Sequence, residues 1–290
     1  MATVREKGYY HWDGQLAEAR FPWWPITRTG ILLAFKKKGF RFLFAGAFLP
    51  SVVFLAIIYI SEHLGDFKLW ARGSEKFITI TPGSFKIFFT NPGFLFLMIA
   101  MLVFAGSGLI ADDLRHNSLQ IYFSRPLKKT DYVLGKMAVI FFFILIVTLV
   151  PGLLVLVFKL IFDGSFKFFL DCPWLVLSII GYSVMLAVFF AFYTLLLSAL
   201  SKNSRYVMIL VFMIYLFSDI LYGMLQGPFR TPYVCLFSIR ANIEQMGAFV
   251  FAQKLPYAVP VVFSFLVLGG VCGLSALVLH RKIRGVEVVR

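Results

Sequence analysis

Residues 137–158 read MAVIFFFILIVTLVPGLLVLVF and contain no charged side chain. An α-helix rises about 1.5 Å per residue, so roughly 20 apolar residues cross the hydrocarbon core of a bilayer. This stretch is therefore long enough to span a membrane as one helix. Apolar and polar positions do not alternate along it, which disfavours a strand of a β-barrel.

Five other stretches share this length and apolar character, and one of them, at 206–225, is interrupted by a single carboxylate, Asp219. The six stretches predict an all-α, polytopic membrane protein. The chain then divides into an N-terminal segment, 1–41, and a six-helix transmembrane domain, 42–290. The predicted spans are about 42–61, 92–111, 137–159, 174–200, 206–225 and 257–280.

Composition agrees with this class. Of 290 residues, 60% are hydrophobic and 14% are charged, with a mean hydropathy of +0.86, whereas a soluble domain has about 25% charged residues. A chain with 35 Phe is also not disordered. The net charge of +14 comes from basic residues that flank apolar runs. Anionic lipid is therefore the expected partner of these charges, and nucleic acid is not expected.

The orientation follows from the distribution of the basic residues. Nineteen of the 28 Lys and Arg residues fall in 1–41, 112–136, 201–205 and 281–290, which share one side of the predicted topology. Because cytosolic connections are rich in Lys and Arg, both termini and the 112–136 loop are predicted to be cytosolic. We expect a bacterial-type inner membrane, and a first span that is retained because its flank is not that of a cleavable signal peptide.

A short basic helix is predicted just before the first span, over about residues 26–41. Its apolar positions are Ile31, Leu32 and Phe35, and its cations include Lys36, Lys37 and Lys38. Such a helix can lie in the cytosolic interface with its cations at lipid phosphates. The same residues also fit an ordinary basic flank that forms no helix of its own.

The loop between the second and third spans is predicted to contain another helix. Asp112 and Asp113 stand at a predicted helix start, where negative charge suits the helix dipole. Apolar residues then recur at i, i+3 and i+4, namely Leu119, Tyr122 and Phe123. Pro126 ends the pattern. This helix either folds back onto its own bundle or docks in a groove on a partner. The last external segment, 226–256, predicts two short helices that dip partway into the membrane.

The residue order of this loop resembles the permease subunits of ATP-binding-cassette type-2 exporters. The resemblance is to the six-helix kind, related to the permeases of copper-enzyme maturation and gliding-motility systems. In that family an acidic cluster is followed by small residues, an aromatic residue or Leu, Ser-Arg-Pro-Leu and Gly-Lys. The segment RTGILLAFKKKGFRFL at 28–43 adds to the resemblance. The matching loop residues are Asp112, Asp113, Asn117, Ser118, Leu119, Phe123, Ser124, Arg125, Pro126, Leu127, Gly135 and Lys136.

The resemblance implies specific roles for these segments. Residues 112–127 would form a coupling helix inserted into a cytosolic ATPase, with Tyr122, Phe123 and Arg125 as its main contacts. The helix at 26–41 would be the connecting helix, and 226–256 would hold the re-entrant helices. The working unit would pair this chain with a second copy or a paralogous permease, and with two ATPases that bind ATP and Mg. The implied coupling residues are Asp112, Asp113, Arg115, Asn117, Ser118, Leu119, Tyr122, Phe123, Ser124, Arg125 and Pro126.

The sequence itself contains no nucleotide-binding loop of the form G-x-x-x-x-G-K-[ST]. Gly135-Lys136 is followed by Met137, and Thr130 stands where the first Gly would be. We therefore expect no enzymatic activity and no cofactor in this chain. If transport is driven by ATP, another polypeptide supplies the hydrolysis.

Few other side chains point to a site. Asp219 is a candidate position in a substrate pathway, because a charge inside a span is costly; alternatively it lies hydrated or hydrogen-bonded near the outer end of its helix. Four His in four segments show no metal-ligand spacing, so no metal is expected. Cys172 and Cys235, both predicted to be external, are either bridged or two free thiols.

Two other functions remain open at this level. One is a secondary carrier or channel that needs no ATPase, although intramembrane charges are nearly absent and no inverted repeat is apparent. The other is a membrane anchor that holds a cytosolic partner through the same loop. The sequence does not indicate the transported substrate.

Overall fold

The computed structural model describes residues 21–63, 81–123, 127–163 and 170–283. Helices make up 86% of these residues, and no strand occurs among them. A 3-10 helix spans Pro232–Phe237. The α-helices of the described part are α1 Trp24–Lys36, α2 Lys38–Gly46, α3 Leu49–His63, α4 Pro82–Thr90, α5 Pro92–Gly106, α6 Gly108–Arg115, α7 Ser118–Phe123, α8 Lys129–Asp163, α9 Trp174–Leu200, α10 Ser204–Phe229, α11 Ile239–Val250 and α12 Val261–Lys282.

Six segments are long and apolar enough to cross a membrane, which confirms the predicted six-span, all-α architecture. Span 1 combines α2 with most of α3, and span 2 combines α5 with α6. Spans 3 to 6 correspond to α8, α9, α10 and α12. In order, the spans are Lys38–Ile60, Pro92–Arg115, Lys129–Phe162, Trp174–Leu200, Ser204–Phe229 and Val261–Lys282.

The spans run in alternating directions, so the bundle has two distinct ends. One end carries Lys38, Arg115, Lys129 and Lys282, and we call it the basic end. The opposite end carries the 3-10 helix, α4 and α11. Hydrogen bonds between chain-distant residues, such as that from Lys282 Nζ to the Ala199 carbonyl, 2.9 Å, join spans at the basic end.

The helices extend beyond the apolar stretches at the basic end. α1 ends at Lys36, Lys37 is extended with ψ 119°, and span 1 begins at Lys38. The interfacial helix was predicted to extend to residue 41, but in the structure it ends at Lys36. Span 3 begins at Lys129, eight residues before the predicted 137. Hydropathy identifies only the part of a helix that lies in the hydrocarbon core. The backbone hydrogen bonds of the helix continue beyond that core, so the helix is longer than the apolar stretch.

Burial separates a central group of spans from a peripheral one. In its most apolar window, span 2 has 72% of its residues buried and spans 3 and 4 have 56%, whereas spans 1, 5 and 6 have 17%. At Gly106 of span 2, an added Cβ would lie 2.3 Å from Thr194 Cγ2 of span 4. Glycine here allows the two central spans to approach closely. Spans 1, 5 and 6 present most of their apolar surface outward.

A break divides span 2 at Ser107, between α5 and α6, and frees backbone groups that a continuous helix would pair. Ser198 of span 4 replaces these bonds. Its Oγ accepts from the backbone N–H of Ile110, 3.0 Å, and of Ala111, 3.1 Å, and donates to the Ser107 carbonyl, 2.9 Å. One buried hydroxyl thus satisfies three backbone groups inside the apolar core.

Short helices pack on the opposite end of the bundle. α4 was not predicted; it begins at a capping box formed by Thr81 and Ser84, and it buries Phe85 and Phe89. Its last residue, Thr90, lies just before the predicted start of span 2 at residue 92. In the 226–256 segment, the structure has the 3-10 helix followed by α11, which Ser238 caps. The sequence predicted two short helices there.

Candidate functional site

The segment between spans 2 and 3 turns sharply at the basic end. α6 ends at Arg115, and Asn117 adopts a left-handed conformation with φ 54°, which Asn tolerates better than most residues. α7 then begins at Ser118. Of the predicted coupling residues, Ser124, Arg125 and Pro126 lie outside the described residues, and only the backbone of Phe123 is described.

Asp113 is the centre of a buried polar cluster at this turn. Its Oδ2 lies 2.6 Å from Lys136 Nζ and accepts a hydrogen bond from the Tyr132 hydroxyl at 2.7 Å. Asp113 lies two residues before the end of span 2, whereas Tyr132 and Lys136 lie one helical turn apart near the start of span 3. A buried charge is stable when it is both paired and hydrogen-bonded. The cluster therefore fixes the end of span 2 to the start of span 3.

α7 joins the same cluster through Tyr122. The Tyr122 and Tyr132 rings are 5.3 Å apart, and Lys136 Nζ lies 5.8 Å from the Tyr122 centroid and 5.4 Å from that of Tyr132. Both distances are within the range of a cation–π contact. Burial raises the pKa of the Tyr122 hydroxyl, and the Asp113 carboxylate raises it further. Tyr122, predicted as a partner contact, is thus partly turned toward the bundle.

The other side chains of this segment divide between the bundle and solvent. Leu119 packs against the core, whereas Arg115 is exposed at the end of α6. Ile121 is 69% exposed and is the most exposed large apolar side chain described in α7. The spacing pattern in the sequence selected Leu119 and Tyr122, which pack on the bundle, and did not select Ile121.

Asp112, the neighbour of Asp113, interacts electrostatically with Lys37, the residue before span 1. Lys37, at the junction of α1 and span 1, donates from its Nζ to the Phe104 carbonyl at 3.0 Å. Desolvation lowers the pKa of the Lys37 ammonium, and the negative charge of Asp112 acts in the opposite direction. The two adjacent carboxylates near the end of span 2 therefore act on two different lysines, Lys37 just before span 1 and Lys136 in span 3.

Helix α1 attaches to span 3 at Gly135, the residue before Lys136 of the Asp113 cluster. Thr27 Oγ1 donates to the Gly135 carbonyl at 3.0 Å. A Cβ on Gly135 would lie 2.9 Å from both Ile26 Cβ and the Trp23 carbonyl, so glycine permits this contact. Gly135 and Lys136 thus hold α1 and α7 respectively. The sequence pattern contained the Gly-Lys pair but gave no sign of Thr27 or Tyr132 as its partners.

Aromatic packing completes the attachment of α1. The Phe35 ring lies 5.4 Å from that of Phe40 and 5.6 Å from that of Phe143 in span 3. Ile31 also packs against the core, whereas Leu32, predicted on the same face, is exposed. The side chains of Lys36, Lys37 and Lys38 are exposed at the C-terminal end of α1 and the start of span 1.

Asp219 lies far from this cluster, at the opposite end of the bundle. Its Oδ1 and Oδ2 accept from Arg240 Nε at 3.1 and 3.0 Å, and Oδ1 also accepts from Ser238 Oγ at 2.9 Å. Arg240 lies 3.6 Å from Glu244, whose Oε1 lies 3.0 Å from Lys86 Nζ. The carboxylate predicted as a candidate pathway residue is therefore paired within a network that joins α4, span 5 and α11.

Comparison with protein families matches the greater part of the chain. Residues 26–269 fit the family model described as ABC-2 family transporter protein. The chain belongs to the ABC-2 transporter family. The match includes most of α1, the Asp113 cluster, spans 1 to 5 and the start of span 6, so the resemblance stated from the sequence is confirmed. No curated protein matches the chain.

Membership of the ABC-2 family makes this chain a multi-pass membrane protein of transport. Members of the family are typically non-catalytic, and an ATPase acts as a separate partner. Within the described residues there is no cluster of His, Cys, Asp or Glu able to hold a metal ion. Cys172 and Cys235 are free thiols in this structure.

Proposed function

We propose that this chain is the permease subunit of an ATP-driven exporter, and that a separate ATPase drives it through residues 112–127. The observation that carries the proposal is the Asp113 cluster, in which α7 contacts span 3 through Tyr122 and Lys136. A force applied to α7 from the basic end would reach spans 2 and 3 directly, because Asp113 and Lys136 pair across them.

The proposed orientation places the basic end in the cytosol, in agreement with the positive-inside rule. ATP and Mg would then bind to the partner ATPase, and this chain would bind neither. A second permease, either a copy of this chain or a paralogue, would complete the substrate path. The outward apolar surface of spans 1, 5 and 6 offers area for that contact as well as for lipid.

Ile121 is the described side chain best placed to meet the ATPase. It is apolar, 69% exposed and located on α7 at the basic end. Burying a side chain of this size in a partner cleft contributes about 1.5–3 kcal/mol, which corresponds to a factor of about 10–100 in affinity. Gln120 is its exposed neighbour on the same helix and serves as the matched control.

The test compares Ile121→Glu with Gln120→Glu, since both place one negative charge on α7. The permease is first purified from its host in mild detergent to identify a co-purifying ATPase and its stoichiometry. We expect Ile121→Glu to weaken ATPase binding at least tenfold, and Gln120→Glu to change it by less than threefold. Recovery of the chain without any ATPase, under conditions that preserve other complexes, would contradict the proposal, as would equal binding by both variants.

A further inference from the structure

A groove opens at the basic end, on the side of the bundle where spans 3 and 6 both pack on span 4. Its volume is about 300 Å³, at the lower limit for ligand pockets. Phe192 of span 4 contributes to its lining between the two flanking helices. This groove is separate from the Asp113 cluster, and no part of the proposed function uses it.

Polarity changes along the groove in one direction. Its mouth, at the start of span 3 and the end of span 6, is lined by Lys129, Thr130 and His280. Farther into the membrane, the lining is apolar, with Met137 on span 3 and Ala276 on span 6. The eight residues from Lys129 to Met137 correspond to about 12 Å along the helix. The groove therefore has a polar mouth at one end and a hydrocarbon-like interior at the other.

The basic side chains at the mouth are not paired elsewhere in the described structure. Among the described residues, neither Lys129 nor His280 forms an ion pair, whereas the nearby Lys282 donates to the carbonyls of Ala199 and Leu200. Lys282 thus fastens span 6 to span 4. Lys129 remains available to bind an anion at the level of the membrane surface.

We propose that this groove binds one anionic phospholipid of the leaflet at the basic end. Lys129 pairs with the phosphate, with Thr130 and His280 as further hydrogen-bonding groups. One acyl chain runs inward past Val133 and Met137 and covers Phe192. A basic pocket between membrane helices is the arrangement that recognises anionic lipid headgroups. The apolar interior selects a lipid over a free phosphate, because phosphate alone leaves that surface uncovered.

The test uses the full chain in mild detergent, with native mass spectrometry to count bound lipids and measure their affinity. The probes are phosphatidylglycerol and phosphatidylcholine with identical acyl chains. Lys129→Gln removes a cation from the groove, and Lys128→Gln removes one from the adjacent residue, which does not line it. Ala276→Trp fills the groove, and Leu277→Trp adds the same side chain at an exposed neighbouring position.

We expect one phosphatidylglycerol to bind at least fivefold more tightly than phosphatidylcholine. Lys129→Gln should weaken this binding about fivefold, and Lys128→Gln less than twofold. Ala276→Trp should remove the bound lipid, and Leu277→Trp should retain it.

Four results would overturn the proposal. The first is equal affinity for the two lipids, and the second is equal loss in the two lysine variants, which indicates diffuse surface charge. The third is competition by glycerophosphoglycerol, the headgroup without acyl chains, at the same concentration as phosphatidylglycerol. If Ala276→Trp breaks a dimer without changing lipid binding, the groove holds a second copy and not a lipid. The lysine pair decides the question even if Ala276→Trp fails to fold.

Discussion

Removing both members of the Asp113–Lys136 pair should destabilise the protein no more than removing either one alone. The side chain of Lys136 is 9% exposed and that of Asp113 is 15% exposed. Their charged atoms are 2.6 Å apart. At an effective dielectric constant of about 20, two unit charges 4 Å apart attract by about 4 kcal/mol, and desolvation offsets part of this. A single neutralisation leaves the other charge buried without a partner, which costs about 3 kcal/mol.

A double-mutant cycle isolates this interaction. Asp113→Asn and Lys136→Met should each lower the free energy of unfolding by about 3 kcal/mol, whereas the double variant should lose about 3 and not about 6. Reversible unfolding by titration with sodium dodecyl sulfate in mixed micelles measures all four proteins. For a domain of 150–250 residues, a loss of 3 kcal/mol lowers the thermal midpoint by about 6–12 °C.

The control for the cycle is Asp131→Asn, which neutralises a carboxylate in the first turn of span 3. The ion pairs between described residues do not include Asp131, so its loss should change stability by less than about 1 kcal/mol. Additive losses in the double variant, to within about 0.5 kcal/mol, would refute the reasoning, because independent side chains add. Single losses as small as that of the control would refute it equally.

Three further changes test other contacts by thermal unfolding in detergent. Ser198→Ala should destabilise the protein by about 1–3 kcal/mol, because it removes the hydrogen-bond partner of the backbone groups at the break in span 2. Its control, Ser275→Ala, removes one hydrogen bond within its own helix and should cost less. Gly106→Val should cost about 1–3 kcal/mol by forcing spans 2 and 4 apart, while Gly181→Val, which meets open space, should be tolerated. Arg240→Gln should cost about 1 kcal/mol, since the ion pair of Arg240 with Asp219 of span 5 is partly exposed. Equal thermal midpoints for a variant and its control, or for Arg240→Gln and the wild type, would contradict these assignments.

The fold was predictable because each span can be recognised from a local property of the sequence, its length and its apolar character. A charge-free run of about 20 residues has few alternatives to a membrane helix. α4 escaped this reasoning, because its nine residues are too few for a span, and the capping residues Thr81 and Asn91 give a weaker signal than hydropathy. The break at Ser107 was equally hidden, because Ser198, which compensates for it, is 91 residues away.

The candidate site was predictable as a segment but not as a set of contacts. The residue order of the loop identified Asp113 and Lys136 as candidate site residues. Their pairing could not be predicted, because it depends on how span 2 packs against span 3. Which apolar side chains of α7 face outward also depends on the tertiary structure. Periodicity identified Leu119 and Tyr122 correctly as one face, and the structure packs that face on the bundle, leaving Ile121 exposed.

The attachment of α1 and α7 to consecutive residues of span 3 has a mechanical consequence. Successive residues of a helix are separated by about 100° around its axis and by about 1.5 Å along it. A piston-like shift of span 3 therefore carries both short helices the same distance, whereas a twist swings them in different directions. Spin labels at Leu32 and Gln120, both exposed, would keep their separation as long as both attachments to span 3 hold, and would change it when either attachment breaks.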